Sequence, residues 1–489
     1  MSLSRFFIIL TLLLSFNVIA ADHLKPRPKI GLALSGGGAR GLAHIGVLKG
    51  LEQLQVPIDY IAGTSMGSII GGLYASGLSI EALRQAVEQE IDWQSVLDYN
   101  IERDQLSYRE KRSQRRYFDI ELGLNQHGLT TPPGFIGGQE LFLVLKRLTR
   151  SINIDDFSNL PIPFTAVATD LNSGQPHLLK KGNLAWALRA SMAVPSAFSP
   201  VKMEGRVLAD GGIVNNIPVD VVREMGADVV IAVDIAVPLS QVDSNSSLIT
   251  IAQQSLDVAL IQNALLALRQ ADIVIAPDLT GFSRTDFDQG HTLITRGHQA
   301  IRDKTALLTQ LAVDAPTYAR YRQRLQARMP TIQHAVTPQF IEIKGHQRTA
   351  EAFLRQKLYP LIGQKVLFKA LEHTTKQLMS LGEFEQITYD VIENAQGETG
   401  LLFEFREKPW GPHYFRLGFN AATQFDDKTE LTFLLRHERM NINRLGAEWL
   451  NEIEVGSGYL IHSEFYQPLD YHKRYFLAPA IAFERAFTD

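Results

Sequence analysis

The sequence predicts an α/β fold: a three-layer α/β/α domain around a mostly parallel sheet, then a βααββ module, then a short antiparallel β segment. Three observations predict it. Between Lys29 and about Ile235, near-continuous apolar runs alternate with amphipathic helical stretches, the pattern of strands buried on both faces by helices. From Gln339 to Glu407 the order changes to strand, helix, helix, strand, strand. After Pro409-Trp410-Gly411-Pro412, apolar and polar residues alternate with a period of two, as in strands with two unlike faces.

The chain has 489 residues, too many for one ordinary core, so two or three domains are expected. A formal net charge of −4 gives no footprint for nucleic acid. There are no cysteines, which excludes disulfides, thiol nucleophiles and Cys-ligated metals. Arg5, an apolar run over 6–16 and a small-residue cleavage site after Ala20, with Val18 and Ala20 at the two recognition positions, form the three parts of a secretory signal peptide over 1–20. The run is short for a span of roughly 20 residues, so export across the inner membrane is expected.

The elements follow in order. Residues 30–34 read as a strand and 42–54 as a helix with Leu48, Leu51 and Leu54 on one face. A strand over 57–62 leads into a helix over 68–75. The charged stretch 100–116 reads as an exposed insertion or lid, and 130–134 as a loop. A strand over 164–169, a helix over 184–190 and a strand over 229–233 complete the alternation. Long helices are expected over 248–269 and 305–326, with a last strand at 273–277 between them, so the first domain spans 27–330. In the second, 337–408, the strand 340–345, helices 349–358 and 368–381 and strands 387–392 and 400–405 have the order of a POTRA module, which it resembles. The third, 410–489, has alternating strands with aromatic residues near their ends, the signature of part of an outer-membrane β-barrel. About five strands fit, and closure needs roughly eight. An open edge in lipid leaves unpaired backbone groups. The expectation is therefore a piece of a longer barrel, or a homo-oligomer that joins strands from several copies.

Three motifs carry chemistry. Gly36-Gly37-Gly38-Ala39-Arg40-Gly41 follows a strand and opens a helix, where backbone N–H groups favour negative charge. In acyl transfer such a loop is an oxyanion hole. Its rival is a dinucleotide-binding turn, which needs an acidic residue closing the second strand. That strand ends instead in Ala62-Gly63-Thr64-Ser65. Gly63-Thr64-Ser65-Met66-Gly67 is a G-x-S-x-G elbow, with Ser65 on the strand-to-helix turn. Asp210-Gly211-Gly212, followed by Asn215-Asn216-Ile217-Pro218, offers a carboxylate that can act as base if it lies within reach of the Ser65 hydroxyl. His291 and His298 leave a Ser–His–Asp triad open; each also reads as a surface histidine. His44 reads as packed behind the glycine loop. No metal spacing is present.

Over 29–237 the chain resembles a patatin-like phospholipase. The matching motifs are Gly36–Gly41, Gly63–Gly67, Asp210–Gly212 and the run from Arg189 to Pro200 that includes Val194, Pro195 and Phe198. The resemblance implies a Ser–Asp dyad without a catalytic His: Ser65 as nucleophile, Asp210 as proton acceptor, and Gly36, Gly37 and Gly38 as oxyanion donors. Arg40 would hold the anionic oxygen or a lipid phosphate. Gly41, Gly63, Gly67, Gly211 and Gly212 are motif glycines. Neither a metal nor another cofactor is implied. The implied substrate is a phospholipid or other lipid ester at a membrane. The whole order is similar to autotransporters with a patatin-type passenger. That similarity implies the outer membrane, cell surface or periplasm of a Gram-negative-type bacterium, with the outer-membrane assembly machinery as a partner. Two other function classes are weighed: a non-catalytic envelope assembly protein, and a dinucleotide-binding protein.

Overall fold

The structure, a computed structural model, describes residues 27–97, 121–236 and 248–486, apart from 127, 135, 151, 153, 196, 330–332, 424–428 and 457. The signal-peptide segment 1–20 and the charged stretch 100–116 lie outside the described residues.

The first domain is built on an eight-stranded sheet. Its strands are β1 (Ile30–Leu34), β2 (Tyr60–Thr64), β3 (Phe164–Asp170), β4 (Gln175–Leu179), β5 (Val201–Met203), β6 (Arg206–Asp210), β7 (Val229–Val233) and β8 (Ile273–Ile275). The order is β8-β7-β1-β2-β3-β6-β5, with β4 also on β3. The pairings along β8, β7, β1, β2 and β3 are parallel; β4 and β6 each pair antiparallel with β3, and β5 pairs antiparallel with β6. The sheet is therefore mixed: four of its seven pairings are parallel, as the sequence leads one to expect, and the three at one edge are antiparallel. The physical reason is the length of the connections. β5 and β6 are joined by Glu204 (φ 50) and Gly205 (φ 74), a two-residue left-handed turn that can only make a hairpin.

Helices α1 (Ala43–Gln53), α2 (Met66–Ala75), α3 (Gln139–Leu148) and α4 (Leu184–Ser191) contribute to one core, with Leu32 and Leu34 of β1. On the other face Ala33, Ala62, Val167 and Ala232 meet α5 (Val219–Glu224) and Ala264 of α6 (Leu248–Leu268). Successive strand residues thus serve opposite cores. The helix expected over 305–326 is broken. A turn of helix at Thr305–Leu308 gives way to a second helix, Ala315–Ala327, that Asp314 caps by accepting from the Thr317 N–H at 2.7 Å. Pro316 fits the first turn of that second helix and would disrupt the middle of a longer one.

The order expected for 337–408 is present: strand Phe340–Lys344, helices Glu351–Leu358 and Phe368–Met379, strands Phe384–Glu393 and Thr399–Glu407. The module is docked on α3. Leu143 enters its core, and the Gln139 side chain accepts from the Ile387 N–H at 3.2 Å and donates to the Ile387 carbonyl at 2.8 Å.

Residues 413–486 form an open antiparallel sheet rather than a closed barrel among the described residues. Its strand His413–Thr423 pairs on the outer side with Glu121–Asn125, a strand supplied by the first domain. Sequence reading places no strand there. One face carries rows such as Leu417, Leu435, Ile453, Ile461 and Phe483, all exposed; the other carries Arg416, Arg436, Glu452 and His462.

Candidate active site

Ser65 stands between β2 and α2 with φ 53 and ψ −125, a conformation that costs a non-glycine residue about 1–3 kcal/mol. Close packing on both sides enforces it. A Cβ on Gly63 would stand 2.4 Å from the Gly67 carbonyl oxygen, and one on Gly67 would stand 2.4 Å from that of Leu34. Hydrogen bonds hold the turn. The Ser65 N–H donates to Ser191 Oγ at 3.0 Å, and that hydroxyl donates onward to the Val167 carbonyl at 2.6 Å. The Ser65 carbonyl accepts from Ser68 Oγ at 2.7 Å and from the Ser68 N–H at 2.9 Å.

Asp210 closes β6 opposite Ala168 of β3, which carries it to the end of the sheet beside the elbow. Its N–H donates to the Ala193 carbonyl at 2.8 Å, and Thr169 Oγ1 donates to its own carbonyl at 2.8 Å. One carboxylate oxygen, Oδ1, accepts from the Gly212 N–H at 2.7 Å. The other, Oδ2, is buried without a hydrogen-bond partner. Burial pushes the carboxyl up to about 6; nearby Ser65, the Gly212 amide and the Arg284 charge oppose that rise. The Ser65 hydroxyl is thus close enough to favour the carboxylate, yet makes no hydrogen bond of ordinary geometry with Oδ2. Such contacts often tighten only when substrate is bound.

The glycine loop departs from the expected donor set. The Gly36 N–H is taken by Asn216, through Oδ1 at 3.2 Å and the backbone carbonyl at 3.3 Å. Ala39 donates to the Arg284 carbonyl at 2.8 Å. Among the described residues, the Gly37 and Gly38 N–H groups have no acceptor, so they are the two amides left for a developing oxyanion. Arg40 requires a second correction. Its buried guanidinium turns away and donates to the carbonyls of Ile235 at 3.1 Å, Phe282 at 3.2 Å and Ala236. It ties the loop down and does not line the cavity. The remaining motif glycines serve close approach: a Cβ on Gly41 would stand 2.3 Å from Met66 Cγ, and one on Gly211 2.2 Å from the Val167 carbonyl oxygen.

Ser65, Asp210 and the glycine loop line one cavity of about 100 Å³, faced by Leu260, Ile261 and Ala264 of α6 and by Arg284 at its mouth. The histidines do not join them. His44 is buried and held neutral by burial, with its pKa near 4, and its Nε2 bonds the Ser35 carbonyl at 2.8 Å. His291 and His298 lie on helix Gly290–Ala300, outside the cavity lining. Among the described residues no group of three or more His, Asp or Glu side chains is placed to hold a metal. Sequence reading assigned no role to Ser191, Asn216 or Arg284. Asn216 had a signal in its position just after Asp210-Gly211-Gly212; Arg284 had none.

The family model described as patatin-like phospholipase matches residues 32–223, which include every motif above. An uncharacterized NTE family protein of Mycobacterium tuberculosis is 33% identical over 208 residues, 42% of this chain and 49% of that protein. Patatin-like phospholipase domain-containing protein 6 of Homo sapiens is 35% identical over 210 residues, 42% of this chain and 13% of that protein. Lysophospholipase nte1 of Aspergillus fumigatus is 32% identical over 212 residues, covering 42% and 12%. The chain thus spans half or less of the length of these relatives. Among solved structures, VipD from Legionella pneumophila is similar at 15% identity over 62% of this chain and 75% of that one, with a TM-score of 0.32; so distant a likeness carries no argument here. Over residues 32–223 the chain is similar to patatin-like phospholipases, and those residues build most of an α/β domain with a mixed sheet.

Proposed function

We propose that the chain is a lipid acyl hydrolase, a serine esterase of the phospholipase A type, working through a Ser65–Asp210 dyad. The observation that carries this reading is the unpartnered Asp210 Oδ2, in the same cavity as Ser65 and the unoccupied amides of Gly37 and Gly38. Ser65 Oγ attacks the ester carbonyl carbon, and its proton passes to Asp210 Oδ2. The carbonyl oxygen becomes an oxyanion facing Gly37 and Gly38, where fixed dipoles stabilise it. Collapse breaks the bond to the leaving oxygen, which takes the proton from Asp210 and leaves as an alcohol. Water then attacks the acyl-enzyme, again giving a proton to Asp210, and the fatty acid departs as Ser65 is reprotonated. A carboxyl near 6 is suited to both halves of this exchange near neutral pH. The names of the human and fungal relatives, a phospholipase-domain protein and a lysophospholipase, support lipid esters as the substrate class.

The same reading places the protein in the envelope. Residues 1–20 serve as the export signal, 337–408 as a POTRA-type module that meets the assembly machinery, and 410–489 as part of an outer-membrane barrel. The apolar face of the last sheet faces lipid, and strands of other copies complete the barrel.

The test is hydrolysis of phospholipid by the full chain beside Ser65→Ala and Asp210→Asn. Either variant retaining ester hydrolysis overturns the dyad. A fluorophosphonate should label the wild type at Ser65 and leave the alanine variant unlabelled. Membrane fractionation of the expressed chain tests the envelope assignment; recovery in the soluble cytoplasmic fraction refutes it.

A further inference from the structure

The sequence points to Arg40 as the cation of the site; the structure puts Arg284 there. Arg284 lies between β8 and the short turn Phe287–Gln289, exposed at the mouth of the Ser65 cavity. Its backbone is fixed against the glycine loop. Its carbonyl accepts the Ala39 N–H at 2.8 Å, and a Cβ on Gly38 would stand only 3.0 Å from the Arg284 Cβ. The guanidinium is therefore rooted beside the amides of Gly37 and Gly38. Among the described residues that line the cavity, Arg284 is the only cation and Asp210 the only anion.

We propose that Arg284 recognises the phosphate of the substrate headgroup, so that this site prefers phosphate-bearing lipid esters to neutral acylglycerols. The proposal rests on the hydrolase reading above and names its substrate class. The Asp210 carboxylate would repel a second anion brought into a cavity of low dielectric. A cation at the mouth offsets that repulsion, and a guanidinium can hold two phosphate oxygens through parallel N–H groups. In a glycerophospholipid the scissile carbonyl and the phosphate are only a few bonds apart. That matches a site whose oxyanion amides and guanidinium stand on adjoining segments. The apolar wall of Leu260, Ile261 and Ala264 is left for the acyl chain. Arg284 lies beyond residues 32–223, which the family model matches.

The experiment compares a lysophosphatidylglycerol with a monoacylglycerol of the same acyl chain, using the full chain as wild type, Arg284→Gln and Arg284→Lys. The ratio of kcat/KM for the phosphate-bearing over the neutral ester should fall at least tenfold in Arg284→Gln, mainly through KM. Arg284→Lys should restore part of it. An unchanged ratio overturns the proposal. So does an equal loss on both esters with the acid limb moved to higher pH, because Arg284 would then act only on Asp210. Binding of both lipids is measured separately in a Ser65→Ala background, with and without Arg284→Gln. A wild type that hydrolyses neither ester refutes the dyad, while the binding ratio still decides the role of Arg284.

Discussion

The Gly36 amide donates to Asn216 Oδ1 at 3.2 Å, joining two loops 180 residues apart in the chain. A neighbouring bond, Thr64 Oγ1 to the Asn215 carbonyl at 2.8 Å, ties the elbow to the same loop. The glycine loop, the Ser65 turn and the Asp210 loop are thereby one unit. Removing the Asn216 side chain should leave the fold in place at a cost of about 1 kcal/mol while loosening the Gly36 turn, whose amide then keeps only the Asn216 backbone carbonyl at 3.3 Å. Asn216→Ala is expected to lower kcat on a lipid ester by about tenfold to a hundredfold, toward the range for loss of an oxyanion donor. Steady-state kinetics beside thermal unfolding separate the two effects; a fall in Tm with unchanged kcat would deny the positioning role.

Asp210 gives opposite signs for activity and stability. As the proposed base, Asp210 works only when ionised, so kcat/KM should fall as pH drops through about 6. For stability, the folded pKa is raised from 3.8 to about 6, so the native state binds the proton more tightly than the unfolded chain. The favourable contribution is complete below about 4 and is lost as pH rises through 6. Above that the buried charge costs at most about 3 kcal/mol. Asp210→Asn should therefore be inactive yet have a higher Tm than wild type at pH 8, with the gap closing toward pH 4. A lower Tm for the variant at pH 8 would show that the carboxylate carries no such burden.

Gly38 has φ +60, and a Cβ there would stand 2.4 Å from the Arg284 carbonyl oxygen. Neither atom belongs to a flexible side chain, so the loop itself must shift. Gly38→Ala should lose about 1–3 kcal/mol of stability and about a hundredfold in kcat. Gly174→Ala is the control, because φ is also positive but nothing lies within 4 Å; it should cost about 1 kcal/mol and leave kinetics unaltered.

What the sequence revealed of this site, and what it hid, follows from how local each feature is. The strand at Ile30–Leu34 and the elbow around Ser65 show in a few consecutive residues, because apolar runs and closely flanking glycines are local demands. The direction of Arg40 is not local. Its guanidinium answers to the Ile235 and Phe282 carbonyls, 195 and 242 residues later in the chain. The same six-residue motif reads identically whether that side chain points into the cavity or away. Glu121–Asn125 was hidden for the same reason, since its pairing partner begins at His413. The antiparallel edge was legible in principle: Glu204-Gly205 between Val201-Lys202-Met203 and Arg206-Val207-Leu208 is a hairpin signal.

Glu121 supplies the last prediction. It leaves the first domain to join the C-terminal sheet, and its buried carboxylate is fully engaged. Oε1 accepts from Lys408 Nζ at 2.8 Å and Trp410 Nε1 at 2.9 Å; Oε2 accepts from Arg416 Nη2 at 2.8 Å and Nε at 3.2 Å. Burial alone would push this carboxyl up, but Lys408 and Arg416 outweigh burial and hold it down to about 2. A depressed folded pKa contributes stability that is present above about 4.5 and lost as pH falls toward 2. Glu121→Ala leaves Lys408, itself only 9% exposed at the side chain, as a buried charge without its partner, so the loss should reach about 3 kcal/mol at pH 7. The loss should shrink as pH falls from 4.5 toward 2, because the wild type surrenders the same interaction there. Denaturant unfolding of both proteins across that range tests the argument. A gap that stays constant with pH would mean that the cost came from lost packing alone, and that the ion cluster does not weld the first domain to the sheet.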